Sequence, residues 1–240
     1  MVDLHTHILP GIDDGATSVA EALMMTAALL NQDVKTVVCT PHFDPSHTSL
    51  DDFLYKRAKS MALMKEERLS FQSGSETVLN DYLFHYPDLS SLCIGNTRYI
   101  LIELPYNSAW DKGTYDMLEK LLSYYNHIPI IAHIERYSAI KKNMIHLTKL
   151  IKLGCVIQVN ASTILNKKSW PRVAGYFKHG YIDVIASDCH NMNKRPPNIK
   201  AAYDKIELKF GLDDCNQLKK NAESIVDGTV LRENKLYTIT

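Results

Sequence analysis

The sequence predicts an α/β fold on a parallel sheet, and three observations predict it. Seven short β-rich runs alternate with helical patterns along the 240 residues. Several runs are almost continuously apolar, as strands buried on both faces of a parallel sheet are. Side chains able to bind metals or move protons stand at or just beyond the ends of the runs, where active sites form in β/α barrels. Closed on itself, such a sheet is a TIM-like barrel one unit short; an open doubly wound sheet is the alternative. Neither GxGxxG nor GxxxxGKS occurs to favour a nucleotide fold.

In order, the first run (2–5) leads into Asp3-Leu-His5-Thr-His7 and then Asp13-Asp14-Gly15, ahead of a helix over 17–31. Ser18 with Glu21 reads as a capping box for that helix. The second run (35–40) overlaps the apolar stretch Val34-Lys-Thr-Val-Val-Cys39 and ends at Thr40-Pro41-His42, before a helix over 50–66. The third (69–75) ends at Gly74-Ser75-Glu76, and the fourth (98–103) at Glu103, before a helix over 112–125. The fifth (128–133) ends at His133-Ile-Glu135-Arg136, before a helix over 141–153 that Gly154 would cap. The sixth (154–159) ends at Gln158-Val-Asn160, before a helix over 170–178. The seventh (182–187) ends at Ser187-Asp188-Cys189-His190. Helices over 197–210, capped by Gly211, and 215–226 follow.

With 45% hydrophobic and 22% charged residues the chain is expected to fold as a globular protein, one domain over 1–240. Lys and Arg number 27, as do Asp and Glu, and only short basic pairs occur, so nucleic acid is not an expected partner. No apolar run approaches the roughly 20 residues of a membrane helix. Acid and histidine among residues 1–7 do not fit a secretory signal. Five cysteines without a CxxC pair read as free thiols, and the expected compartment is the cytoplasm.

The residue types at the strand ends suit a metal cluster, since imidazole and carboxylate are ligands of Zn, Mn and Fe. An extended strand turns alternate residues to one side, so His5 and His7 could reach one ion, and Asp188-x-His190 repeats the spacing. A carboxylate such as Glu103 could bridge two ions, and ions about 3.5–4 Å apart can clamp a phosphoryl group. One buried histidine is more often a satisfied core residue, but five of the ten fall at strand ends beside several acids. His47, His85, His127, His146 and His179 read as surface or structural. Glu135 reads as a solvated loop acid, and Asp3 as a group satisfying backbone amides.

The opening string Val2-Asp-Leu-His-Thr-His-Ile-Leu-Pro-Gly-Ile-Asp-Asp-Gly15 resembles the first motif of the polymerase and histidinol phosphatase (PHP) superfamily. Ile131-Ala-His-Ile-Glu-Arg-Tyr137, and Val184-Ile-Ala-Ser-Asp-Cys-His-Asn191 with Arg195-Pro-Pro197, narrow the resemblance. They are similar to the bacterial manganese-dependent tyrosine-protein phosphatases of capsule and exopolysaccharide clusters, the CpsB/YwqE type. The resemblance implies a distorted TIM-like (β/α)7 barrel, the PHP fold, holding three metal ions, with Mn²⁺ expected and Fe or Zn possible. It implies the ligands His5, His7, Asp14, His42, Glu76, Glu103, His133, Asp188 and His190, with Asp13 the alternative to Asp14. It implies that Arg136 and Arg195 bind the substrate phosphate, that metal-bound hydroxide attacks phosphorus, and that a kinase's tyrosine tail is the substrate. The loop after His42 departs from the family in being less basic, and Ala222 stands where proline is common.

Two other readings have discriminators. Cys189 and Arg195 show the C-x5-R spacing of thiol-dependent phosphatases, although no glycine opens the loop between them. A small phosphorylated metabolite, such as histidinol phosphate or a sugar phosphate, would fit the same metal chemistry. A chelator separates metal from thiol catalysis, and pocket depth separates a metabolite from a protein.

Overall fold

The computed structural model describes residues 1–106 and 110–231. Among the described residues nine strands form: β1 (Val2–Thr6), β2 (Thr36–Cys39), β3 (His42–Phe43), β4 (Ser70–Ser73), β5 (Glu76–Val78), β6 (Tyr99–Glu103), β7 (Ile128–Ile131), β8 (Val156–Asn160) and β9 (Val184–Ala186). Every pairing is parallel, in the orders β1-β2-β4 and β3-β5-β6-β7-β8-β9. The strands thus follow chain order, with no reversal of the kind a doubly wound sheet requires. The first and last strands meet beyond β9, where His7 N donates to Cys189 O at 2.9 Å and Asp188 N to His5 O at 2.9 Å. The result is the distorted TIM-like barrel that the sequence predicts.

Seven expected strands become nine because the second and third are each followed, after a break, by a further short strand beyond their expected ends, β3 and β5. Pro41 has no N–H to donate and interrupts the stave between β2 and β3. Between β4 and β5, Gly74 is packed so closely that a Cβ would lie 2.9 Å from Val38 Cγ1. The buried Arg57 fills the hydrogen-bond gap at this break, donating to Gly74 O at 2.7 Å and Ser91 O at 2.8 Å.

The helices are α1 (Val19–Leu30), α2 (Leu50–Met61), α3 (Lys112–Ser123), α4 (Ser138–Lys142), α5 (Ile145–Leu153), α6 (Ala161–Leu165), α7 (Trp170–Lys178), α8 (Ile199–Phe210) and α9 (Leu212–Val226). The expected helix over 141–153 splits at Asn143, and α6 was not expected. The capping box is shifted: Ser18 Oγ accepts from Glu21 N, but the Glu21 carboxylate turns to Thr17 N and Oγ1 instead of Ser18 N. Gly154 caps α5 at φ 95°, as its position predicts.

Two apolar clusters sandwich the sheet. One packs the helices on its outer face. The other fills the barrel with Leu4, Val38, Leu101, Ile130 and Ala186, and is met by Ala222 and Ile225 of α9. Alternate residues share this inner face, so its chemistry changes with height. In β6 it runs Tyr99, Leu101, Glu103, and in β8 Val156, Gln158, Asn160. The foot of the barrel is apolar and its C-terminal rim polar.

Candidate metal centre

At the rim a buried carboxylate, Glu76, gathers four imidazoles. Its Oε2 is 3.2 Å from His5 Nε2, 3.2 Å from His7 Nε2 and 3.0 Å from His42 Nδ1, and its Oε1 is 2.6 Å from His133 Nε2. Glu103 Oε1 lies 3.4 Å from the same His133 nitrogen. Asp188 Oδ1 faces His5 Nε2, His7 Nε2 and His190 Nδ1 at 3.4, 3.5 and 3.6 Å. Asp14 Oδ1 is 3.2 Å from His42 Nε2 and 3.3 Å from His190 Nε2. The nine predicted ligands come together from the ends of β1, β3, β5, β6, β7 and β9.

Local geometry explains the convergence. A register shift between Asp3 and Thr6 in β1 re-aims His5 and His7. Gly15 lets the Asp13-Asp14 turn press against the end of β1, where a Cβ would fall 2.0 Å from His7 O. His133 at φ 33° and Asp188 at φ 52° hold left-handed backbone, a strain found at functional sites.

The donor set fits metal ions. His5 Nε2 and His7 Nε2 stand 3.2 Å apart, facing each other across a point that a shared cation would satisfy. Their outer nitrogens have oxygen partners: His5 Nδ1 lies 3.3 Å from Gln158 Oε1, and His7 Nδ1 2.7 Å from Asp13 Oδ2. A ring donating Nδ1–H outward presents its Nε2 lone pair inward, as metal-bound histidines do. The buried Asp188 Oδ1 makes no hydrogen bond. Ligand atoms of His5, His7 and Glu76 lie within 4.8 Å of one another, as do those of His42, Glu76 and Glu103, and those of His7, Asp14, His42 and His190.

The electrostatics also call for cations. Burial works against ionisation of Glu76, but His5, His133 and His42 outweigh it and hold the carboxyl well below its ordinary range. Burial opposes protonation of His7, yet the hydrogen bonds it donates to Asp13 and Glu76 lift it to about 10, so the pocket draws positive charge, proton or metal. His190 is pushed down to about 4 by burial and then by the charge on His7. It keeps an Nε2 lone pair, toward which Arg195 Nη1 donates at 2.6 Å, a guanidinium standing where a cation belongs.

Arg136 Nη2 and Arg195 Nη2 each reach Asp188 Oδ2 at 2.6 Å, and Asn160 Nδ2 joins them at 2.6 Å. Two guanidiniums thus bracket one carboxylate oxygen beside the cluster. Asp13, the alternative ligand, is instead committed to His7 Nδ1, Gly15 N and His42 N. Asp3 accepts from Ser187 N at 3.0 Å, as expected of a backbone partner. Glu135 is not a solvated acid: it is 2% exposed and accepts from Thr163 Oγ1 at 2.9 Å. Sequence reasoning missed Tyr106, whose hydroxyl meets Glu103 Oε1 at 2.5 Å and whose ring stacks on His133. Its position after Leu104-Pro105 carries no motif.

Cys189 is fully buried, and burial pushes its thiol well up, away from the thiolate a nucleophile needs. The amides of Asn193, Lys194 and Arg195, which would have to cradle a phosphate, all donate to Asn191 Oδ1. The C-x5-R spacing is therefore not a thiol phosphatase loop.

Barrel and site together define a parallel α/β barrel whose rim carries a His, Asp and Glu cluster able to hold metal ions. Residues 1–227 match the family model for capsular polysaccharide synthesis proteins CpsB/CapC, and the chain belongs to that family. It is 30% identical over 240 residues to the tyrosine-protein phosphatase CpsB of Streptococcus agalactiae serotype V, covering 94% of this chain and 98% of the relative. It is 29% identical to the tyrosine-protein phosphatase YwqE of Bacillus subtilis, over 97% of this chain and 94% of the relative. A solved structure from a study of YwqE and Streptococcus pneumoniae CpsB, described there as metal-dependent tyrosine phosphatases, superposes with a TM-score of 0.81. The identity is 26%, and 98% of each chain is covered. Among the described residues no helix is long and apolar enough to cross a membrane.

Proposed function

We propose that this chain is a metal-dependent protein-tyrosine phosphatase of capsule or exopolysaccharide synthesis, acting on the phosphotyrosine tail of a bacterial tyrosine kinase. The observation that carries the reading is the pair Arg136 and Arg195 on Asp188 Oδ2, against a histidine and carboxylate cluster. Two planar forks on one oxygen match the geometry that binds a phosphate dianion. Three subsites are read: His5, His7, Glu76 and Asp188; Glu76, Glu103 and His133; Asp14, His42 and His190. Bound there, divalent metals, with Mn²⁺ preferred, would neutralise phosphate charge and bring a water's pKa towards neutrality to supply the nucleophile.

The chain's own residues do the rest. Asp188 presents Oδ1 to the cluster while Oδ2 holds both arginines beside it, ready to exchange that oxygen for those of the substrate. Gln158 and Asp13 fix the imidazole rings. A tyrosine phenolate, with a pKa of about 10, leaves without strong acid assistance, and no general acid is assigned. The mouth is open: the side chains of Asp14 and His42 are 64% and 38% exposed, which suits a tyrosine displayed on a protein better than an engulfed metabolite.

The test is hydrolysis of a phosphotyrosine peptide with Mn²⁺ and with excess EDTA. Turnover that needs metal is expected. Turnover indifferent to EDTA would overturn the metal reading, and turnover of histidinol phosphate or a sugar phosphate alone would overturn the substrate.

A further inference from the structure

The net charge of zero conceals a separation of charge around the rim. From Ile128 to Lys200, the chain that builds the β7, β8 and β9 side holds twelve Lys and Arg but three acids; of the twelve, Lys152 and Lys178 close α5 and α7 at the barrel's foot. Those acids, Glu135, Asp183 and Asp188, are all buried. From Met1 to Tyr55, on the β1 to β3 side, the order is reversed: eight acids and one cation, Lys35. Lys35 precedes β2 and Arg98 precedes β6, both at the barrel's foot, so residues 7–18, 44–49 and 79–97, which follow β1, β3 and β5, contain no Lys or Arg. The rim is basic on one side of the metal centre and acidic on the other.

The basic side is tied to the phosphate-binding arginines. Lys141 Nζ donates to Arg136 O at 2.9 Å, and Arg172 Nη2 to Glu135 O at 3.4 Å, so both stand on the turn that carries Arg136. Lys194 directly precedes Arg195, and Lys167-Lys168 lie between α6 and α7, in the chain that follows β8. These side chains are exposed apart from Arg136 and Arg195, which are half-buried. Among the described residues, none of Lys141, Lys167, Lys168, Arg172 and Lys194 forms an ion pair with a carboxylate. Exposed like charges gathered on one side of a site raise a positive potential that an anionic ligand relieves.

We propose that the basic rim over β7, β8 and β9 is the docking surface for anionic residues flanking the substrate phosphotyrosine, whether Asp and Glu or further phosphates. This rests on the phosphotyrosine reading of the site. The acidic loops after β1, β3 and β5 then repel a peptide laid the wrong way, which sets its direction across the cleft. It also gives a place to the sparse basicity of the loop after His42: the cations lie across the site.

The test uses the full chain and four labelled phosphotyrosine peptides of equal length, flanked by Asp/Glu, by further phosphotyrosines, by Ser/Asn, or by Lys. Fluorescence anisotropy in excess EDTA reads binding without turnover. At low salt the Asp/Glu and multiply phosphorylated peptides are expected to bind about tenfold tighter than the Lys peptide. In about 0.5 M salt that advantage should shrink towards parity. The double variant K167E/K168E should lose most of the preference while hydrolysing free phosphotyrosine with Mn²⁺ like the parent. If only the multiply phosphorylated peptide gains, the proposal stands with phosphate as the flanking charge. Equal affinity for all four, or a preference unchanged in the double variant, overturns it. So does tight, salt-sensitive binding to phosphatidylglycerol vesicles with indifference among peptides, which would make the patch a membrane contact. A parent that prefers anionic flanks but never hydrolyses free phosphotyrosine would leave the docking surface standing and remove the catalytic reading instead.

Discussion

His7 Nδ1 and Asp13 Oδ2 are 2.7 Å apart, and the same Asp13 oxygen accepts the His42 amide at 3.1 Å while Oδ1 accepts that of Gly15. Asp13 is thereby spent on shaping the site, whereas its neighbour Asp14 extends at the mouth toward His42 and His190. The two aspartates should separate by experiment. Asp14→Asn should drop one metal ion per chain, read by elemental analysis after gel filtration. Asp13→Asn should keep the full count but weaken metal affinity by about 10–100-fold, the usual cost of losing a histidine's outer carboxylate. The reverse pattern would make Asp13 the ligand.

Arg136 and Arg195 share one oxygen of Asp188, which is the arrangement two forks adopt before an anion arrives. Lysine keeps the charge and loses the fork. Arg136→Lys and Arg195→Lys should each lower kcat/KM on a phosphotyrosine peptide by roughly 10²-fold, the scale of losing one charge-stabilising donor. Metal content should stay as in the parent. An unaltered kcat/KM in either would return that residue to a structural ion pair.

Tyr106 closes over the Glu103 and His133 pair, its hydroxyl on one and its ring on the other. Its backbone is pinned, since Ser138 Oγ donates to Tyr106 O at 2.9 Å. A hydrogen bond to a charged acceptor contributes about 1.5–3 kcal/mol. Tyr106→Phe should therefore loosen Mn²⁺ at that subsite by about tenfold or more in a calorimetric titration, with the melting temperature of the metal-free chain nearly unmoved. Equal titrations would reduce Tyr106 to packing.

The cysteine rival has a direct test as well. Cys189 lies between two candidate ligands, with its Sγ out of solvent's reach. Cys189→Ser should keep activity within about twofold, at a cost near 1 kcal/mol for burying a hydroxyl in its place. A dead but folded variant would restore the thiol route.

Much of this was readable in the chain because a barrel converts linear position into a ring. A polar residue at the end of an apolar run must emerge on the rim, so His5, Glu76, Glu103, His133 and Asp188 could be placed from pattern alone, and the family resemblance added Asp14 and the arginines. What was not readable depends on contacts between distant segments. Asp13 and Asp14 are indistinguishable until one of them is seen on His7 Nδ1. Glu135 looks like any loop acid until Thr163 of α6 packs over it. Tyr106 has no motif because its role comes from reaching back over its own strand. The breaks at Pro41 and Gly74 were written in the residues, but their effect needed Arg57 from α2 to satisfy the exposed carbonyl.

Metal removal should also register in stability. Glu76, Asp188 and the imidazoles of His5, His7, His133 and His190 are all buried, and without cations two carboxylates sit close together in a low-dielectric pocket. Protonated histidine and the two arginines hold both carboxylates ionised, but Asp188 Oδ1 still has no hydrogen bond, an oxygen left for an ion to take up. A ligand that binds only the folded chain stabilises it by about 2.7 kcal/mol at a hundred times its Kd. For a protein of this size each kcal/mol moves Tm by roughly 2–4 °C, so saturating Mn²⁺ should raise Tm by about 5–10 °C over the EDTA-treated chain. Scanning calorimetry of the two forms reads the difference. Adding Asp188→Asn sharpens the test: it removes a ligand and leaves Arg136 and Arg195 without their shared carboxylate, so the Tm of the metal-free form should fall and the gain from Mn²⁺ should shrink. A parent with the same Tm in both states would mean that the cluster is held by its own hydrogen bonds and not by ions.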